Sequence, residues 1–293
     1  MDRRRFIRTG VAGVAGLTVT GLDLSCMTSD TPPVDTVKLG KSGLRVSRIA
    51  MGTGTVGYNK ASNQTRLGME KFVALAHHAY EKGIRFYDMA DGYGSQPFVG
   101  EAIKTLPRDK ITLMTKIWTQ PDGSENTGNV REIIDRCRKE AGVDYFDILL
   151  MHCIMQGNWH ETRKHYMEAF SKAKQDGAVR AVGLSCHNID ALAEASVNPW
   201  VDVVLARINP FGTNMDAAPD TVREILAKAQ KNGKGVIGMK IFGEGKHISE
   251  AEREQSINYA VTQGNVHCVT LGLESESQMD DAVERVMRNV KKL

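Results

Sequence analysis

From residue 37 onward the apolar positions fall into two alternating periods. Short apolar runs at 49–51, 85–88, 111–116, 146–152, 181–185, 201–208, 235–240 and 269–271 read as buried strands. Between them the spacing changes to three and four. That predicts amphipathic helices over 69–82, 130–141, 160–176, 221–232 and 250–263, with a last helix over 277–291. Gly83, Gly142, Gly177 and Gly233 stand at helix ends, where a left-handed residue closes the final turn at low cost. Ahead of these units, 37–39 and 45–47 flank Gly40-Lys41-Ser42-Gly43 and read as a hairpin.

Eight strands alternating with helices imply a parallel sheet. An open doubly wound sheet would carry a glycine-rich nucleotide turn between a strand and a compact helix. The stretch that comes closest, Gly52-Thr53-Gly54-Thr55-Val56-Gly57, is not followed by such a helix. Eight repeats in this length suit a closed α/β fold instead. The expectation is a (β/α)8 TIM barrel over 34–293 with the hairpin as its N-terminal cap.

Residues 1–33 read as an address rather than a fold. Arg3-Arg4-Arg5-Phe6-Ile7-Arg8 precedes a short, glycine-interrupted apolar run over 11–21. This is a signal-peptide pattern of the twin-arginine type, and the run is too short to span a bilayer, which needs about 20 residues. A disordered basic tail is the plainer alternative. Leu22-Asp23-Leu24-Ser25-Cys26 loosely resembles a lipoprotein box, with Asp23 where an apolar residue is expected, and 29–33 reads as a linker. The expected location is periplasmic, reached folded through the twin-arginine machinery, with membrane attachment only through the leader or a lipid on Cys26.

Composition narrows the field further. Lys and Arg total 38 against 35 Asp and Glu, and the basic clusters lie at the two ends, so no nucleic-acid footprint is present. The five cysteines form no CxxC pair and have no regular spacing, which argues against a zinc knuckle or a redox dithiol.

In barrels of this kind chemistry sits at the carboxyl ends of the strands. Four ionisable residues close or follow adjacent strands there: Asp88, Tyr93, Lys116 and His152. A tyrosine titrates near pH 10 by itself, too high for easy proton donation. A buried ammonium beside it would lower that value, an aspartate would keep the ammonium charged, and a histidine would orient the substrate oxygen. The set suits carbonyl reduction by hydride with Tyr93 as general acid, or alcohol oxidation in reverse.

The same residues carry a resemblance. Asp88-Met89-Ala90-Asp91-Gly92-Tyr93-Gly94, then Gly100-Glu101-Ala102, with Lys116 and His152, is similar to the aldo-keto reductase signature. The resemblance implies NAD(P)(H) bound at the strand ends and a small carbonyl or alcohol substrate. The family holds the nicotinamide carboxamide with Ser-Asn after strand five and Gln on strand six, and stacks a tyrosine on the ring. Here Ser185 is retained, but Cys186, Leu205 and Ile208 stand at the other positions. Lys240, followed by Gly243, is expected to meet the pyrophosphate or to be a solvated strand end. Gly272, Glu274, Ser275 and Gln278 align with the segment that grips the adenosine ribose. Glu274 would accept from a ribose 2′-OH and repel a 2′-phosphate, which favours NAD(H); equally, the acids there suit a helix N-terminus.

Three rivals stand beside this reading. His152-Cys153 and Cys186-His187 could bind a soft metal, although neighbours on a strand face opposite ways. The barrel could be a non-catalytic binding protein, as the altered carboxamide residues suggest. An exported enzyme could also hold its nucleotide tightly and cycle it between two sugar substrates. Trp118, Trp159 and Phe211 are candidates for a substrate wall.

Overall fold

The computed structural model describes residues 33–119 and 129–293. The leader with its arginines and Cys26, and residues 120–128, lie outside the described residues. The hairpin is present as β1 (Thr36–Lys38) and β2 (Arg45–Ser47), with Thr36 opposite Ser47. The strands that follow are β3 (Ile49–Gly52), β4 (Phe86–Asp88), β5 (Thr112–Trp118), β6 (Phe146–Ile154), β7 (Val179–Cys186), β8 (Val203–Arg207), β9 (Gly235–Met239) and β10 (Cys268–Leu271). They are parallel, run in sequence order, and close where β10 pairs with β3. The closed barrel is therefore the fold, and the open sheet is excluded.

The helices are α1 (Asn63–Arg66), α2 (Met69–Glu81), α3 (Gln96–Ile103), α4 (Val130–Ala141), α5 (Trp159–Thr162), α6 (Lys164–Gln175), α7 (Ile189–Val197), α8 (Pro219–Lys231), α9 (Glu250–Thr262) and α10 (Glu276–Val290). The helix expected over 160–176 breaks at Arg163 into α5 and α6. Helices α3 and α7 give little periodic signal, being short, and α7 buries mainly Ala191, Leu192 and Ala195. Helix α4 ends as expected, with Gly142 left-handed at φ +63°. No helix among the described residues is long and apolar enough to cross a membrane. Cys137, Cys153, Cys186 and Cys268 are free thiols.

Strand alternation sorts the core into two bodies. Ala50, Phe86, Met114, Ile148, Leu205 and Ile237 fill the barrel interior, while Met51, Tyr87, Leu149, Leu184 and Val204 face the helices. Leu39, Leu44 and Val46 of the hairpin belong to the interior body. The Lys41 N–H donates to Gly233 O, just before β9, at 2.7 Å. The hairpin thus plugs the amino-end mouth of the barrel. Each fully buried plug leucine contributes about 1.5–3 kcal/mol. With that end closed, the carboxyl ends of the strands form the barrel's free rim.

Candidate active site at the strand ends

The alternation that places Phe86, Met114 and Ile148 inward also turns Asp88, Lys116 and His152 inward, two or four residues further along β4, β5 and β6. Tyr93 arrives on the 3-10 turn Asp91–Tyr93 that follows β4. Buried Asp91 anchors this turn by ion pairs to Lys60 and Arg136. The Tyr93 ring lies flat against the 54–57 loop, where a Cβ on Gly54 or Gly57 would overlap it. Its hydroxyl is 3.3 Å from His152 Nε2. The imidazole is held edge-on between Tyr93 and Trp118, with centroids 5.5 and 5.8 Å away. Behind them the Lys116 ammonium donates to Asp88 Oδ1 and, at 2.8 Å, to Met89 O. The four predicted residues therefore meet at one point.

Burial governs their protonation. It lowers the Lys116 ammonium, opposed by the charge of Asp88 and its hydrogen bond. It drives His152 well below the usual histidine range, helped by the charges of Lys116, His187 and Lys240. The Tyr93 phenol is raised, first by burial and then by Asp88 and Cys153. The expected lowering by Lys116 is not found in the protein alone. Its Nζ lies over the ring, 4.9 Å from the centroid, and its charge is already matched by Asp88. Near neutral pH the site holds a protonated phenol and a neutral imidazole, a proton donor beside a hydrogen-bonding partner for an oxygen.

The predicted cofactor residues are placed less uniformly. Ser185 faces inward, and its Oγ accepts the Cys153 N–H at 3.3 Å. Cys153 sits at φ +60° where β6 and β7 shift register. Cys186 is a correction: one step further along β7, it points outward into the helix-facing core and is fully buried. Ile208 is likewise outward and buried, so it stands at no ring-stacking position. The inward residue there is Arg207, paired with the buried carboxylate of Asp216. Sequence reasoning passed over this pair, though the two-residue alternation from Leu205 marks Arg207. Arg207 Nε and Asp216 Oδ2 are buried without a hydrogen-bond partner, leaving a spare donor near a spare acceptor.

Lys240 follows β9 with φ +56° and pairs with Glu244. Its charge, with those of Arg207 and Lys116, helps burial hold His187 down to about 3. Three cations thus stand along the rim from β5 to β9, each matched by a carboxylate: Lys116 by Asp88, Arg207 by Asp216 and Lys240 by Glu244. Gly243 packs close to Thr213 and His247. At Gly272 the missing side chain is used by Thr55, which a Cβ would overlap. Ser275 caps α10, accepting the Gln278 N–H at 3.3 Å, so the capping alternative describes its place in the protein alone. The Gln278 side chain accepts the Glu274 N–H, and the Glu274 carboxylate accepts from Asn63 Nδ2, both at 2.8 Å.

One other expectation changes. Trp159 is fully buried and donates to Ala191 O, so it packs the core and lines no substrate wall. Phe211 stacks on His247 at 3.8 Å. The rival metal set does not converge, since Cys186 faces away from His152. Among the described residues the one cluster of three metal-type side chains is Asp91, Cys137 and Glu140. Asp91 there is already paired with two cations. A groove of about 660 Å³ beside α6 and Trp200 lies on the helical outside, away from the rim.

Comparison with known proteins bears on the fold and the family. The Aldo/keto reductase family profile matches residues 48–292. The L-galactose dehydrogenase of Arabidopsis thaliana is 26% identical over 285 residues, covering 85% of this chain and 86% of the relative. An NADH-specific methylglyoxal reductase of Escherichia coli is 24% identical over 67% of this chain and 64% of its own length. A solved aldo-keto reductase of Bacillus halodurans in its holo form superposes with a TM-score of 0.67 at 17% identity, covering 88% of this chain and 96% of that one. The profile match spans most of the chain, and the chain belongs to the aldo/keto reductase family of oxidoreductases.

Proposed function

We propose that the protein is an NAD(P)(H)-dependent oxidoreductase that reduces an aldehyde, ketone or keto-sugar, or oxidises the corresponding alcohol, with Tyr93 as general acid and base. The observation that carries this reading is the 3.3 Å approach of Tyr93 Oη to His152 Nε2, backed by the buried Lys116–Asp88 pair. The carbonyl oxygen sits between phenol and imidazole. Tyr93 gives it a proton, His152 orients it, and Lys116 supports the tyrosinate left behind.

The residues present fit a nicotinamide nucleotide. Ser185 with the spare donor of Arg207 and the spare acceptor of Asp216 complements a carboxamide, which presents a carbonyl and an amide N–H. Lys240 supplies a positive charge for the pyrophosphate. A bound nicotinamide gives or takes the hydride. Glu274, which accepts from Asn63 through one carboxylate oxygen, favours NAD(H), because a carboxylate accepts from a ribose 2′-OH and repels a 2′-phosphate. The NADH for which the methylglyoxal reductase relative is named is in keeping with this.

A second reading makes the nucleotide a retained one, cycling between two sugars. It rests on the leader, which suggests twin-arginine export of a folded barrel (34–293) to the periplasm, and on the sugar substrate named for the Arabidopsis relative.

The test is mass spectrometry of nucleotide released from protein purified without added cofactor, with hydride transfer to small aldehydes and keto-sugars measured for wild type and Tyr93→Phe. Near-stoichiometric NAD(H) with slow exchange supports the retained cycle, and rapid exchange supports the simple reductase. Loss of about 10²–10⁴-fold in the phenylalanine variant supports the role of Tyr93. Failure to bind either nucleotide would leave a non-catalytic barrel.

A further inference from the structure

Strand β3 lies between β10 and β4, so side chains on those two strands are normally about 9–10 Å apart across it. One pair nevertheless touches. Thr270 Oγ1 on β10 donates to Asp88 Oδ2 on β4 at 2.8 Å. The reach is possible because the intervening inward position is Gly52, which pairs with Asp88. A Cβ there would come within 3.0 Å of Thr270 Oγ1. The Asp88 carboxylate is thus divided, one oxygen for Lys116 and the other for Thr270.

We infer that Thr270 is a positioning residue: through the gap over Gly52 its hydroxyl fixes the Asp88 carboxylate and so holds the Lys116 ammonium behind Tyr93. The inference rests on the proposed proton-transfer role of the four-residue set. The ionisable groups facing Lys116 are Asp88 from β4, Tyr93 from the turn after it, His152 from β6 and His187 from the end of β7. Asp88 is the one carboxylate among them. Burial works against the ammonium, and Asp88 works for it only while its oxygen stays aimed. A hydrogen bond to a charged group is strong enough to set that aim.

The experiment compares Thr270→Val, which keeps the shape and removes the hydroxyl, with Thr270→Ser, which restores it, and Gly52→Ala, which fills the gap. In the valine variant kcat falls about tenfold, the size of one lost charge-assisted hydrogen bond. KM and nucleotide affinity stay within about twofold of wild type, as expected when an interaction acts mainly on the chemical step. The alkaline limb of kcat moves to lower pH by about one unit, because the ammonium is less well held. The alanine variant shifts the same way, and serine returns both readings. ¹⁵N NMR of lysine-labelled protein follows the Lys116 titration directly, moving to lower pH in the valine variant. That shift supports the positioning role even if wild type turns over no carbonyl, which would sink only the catalytic reading. An unchanged Lys116 titration overturns the inference. So does a loss of activity that serine fails to rescue, which would mark Thr270 as space-filling.

Discussion

Replacing Asp88 by asparagine keeps the size of the side chain and its bond to Thr270 but removes the charge facing Lys116. Both partners are nearly inaccessible, with side chains 7% and 2% exposed, so water cannot take over the lost role. Removing one partner of a buried pair costs about 3–5 kcal/mol. Expressed as proton affinity, that is on the order of 2–4 pH units at about 1.4 kcal/mol per unit. In the wild type burial already lowers Lys116 while Asp88 opposes it; in the variant the lowering is unopposed. A lysine whose folded value is depressed destabilises the fold where it must stay charged. That penalty fades as pH rises through the folded value towards the unfolded one, near 10.4, because the unfolded chain then holds more protons. The assay is urea unfolding of wild type and Asp88→Asn between pH 6 and 9. The expected result is a gap of about 3–5 kcal/mol at pH 6 that narrows as pH rises. A gap below about 1 kcal/mol, or one that does not change with pH, would refute the view of Lys116 as an ammonium dependent on Asp88.

Three further outcomes follow from the geometry. Gly54→Ala drives a methyl group into the Tyr93 ring, so hydride transfer to small aldehydes falls at least about 10²-fold while the fold survives; circular dichroism with steady-state kinetics would test it, and unchanged turnover would contradict the packing. Trp159→Ala removes a fully buried indole from the core, costing about 3–5 kcal/mol with turnover per folded molecule preserved; a selective loss of turnover would restore Trp159 to the substrate wall. Burial and neighbouring cations hold His152 well below its usual range, and His187 at about 3, so the rate of hydride transfer crosses pH 6–7 without a histidine step; a clear inflection assigned to His152 by an asparagine substitution would count against its neutral state.

The barrel was legible because its signal is periodic: each apolar run of the β strands ends at a rim, and the rim residues can be counted off. Asp88, Lys116 and His152 follow from that count, and Tyr93 from the motif behind Asp88. The cofactor half was less legible for a physical reason. Alignment placed Cys186 and Ile208 at the site by homology of position, but side chains alternate, and both turn outward. Applied one residue earlier, the same alternation picks out Ser185 and Arg207. The bulge at Cys153 and the Gly52 gap leave no trace in hydropathy, because each depends on a partner strand far away in sequence. Helix α7 was missed because alanine and serine give its buried face too little contrast.

The hairpin plug has a consequence for the order in which the molecule assembles. Its Leu39 packs against Gly235, and the Lys41 amide bonds the carbonyl of Gly233, nearly two hundred residues downstream. During synthesis the hairpin emerges before every barrel strand, yet its seat does not exist until β9 has been made and the barrel has nearly closed. Contacts of such long sequence separation are slow to form. Leu39, Leu44 and Val46 therefore lack their seat through most of translation and form an apolar surface open to a holding chaperone until β9 is made.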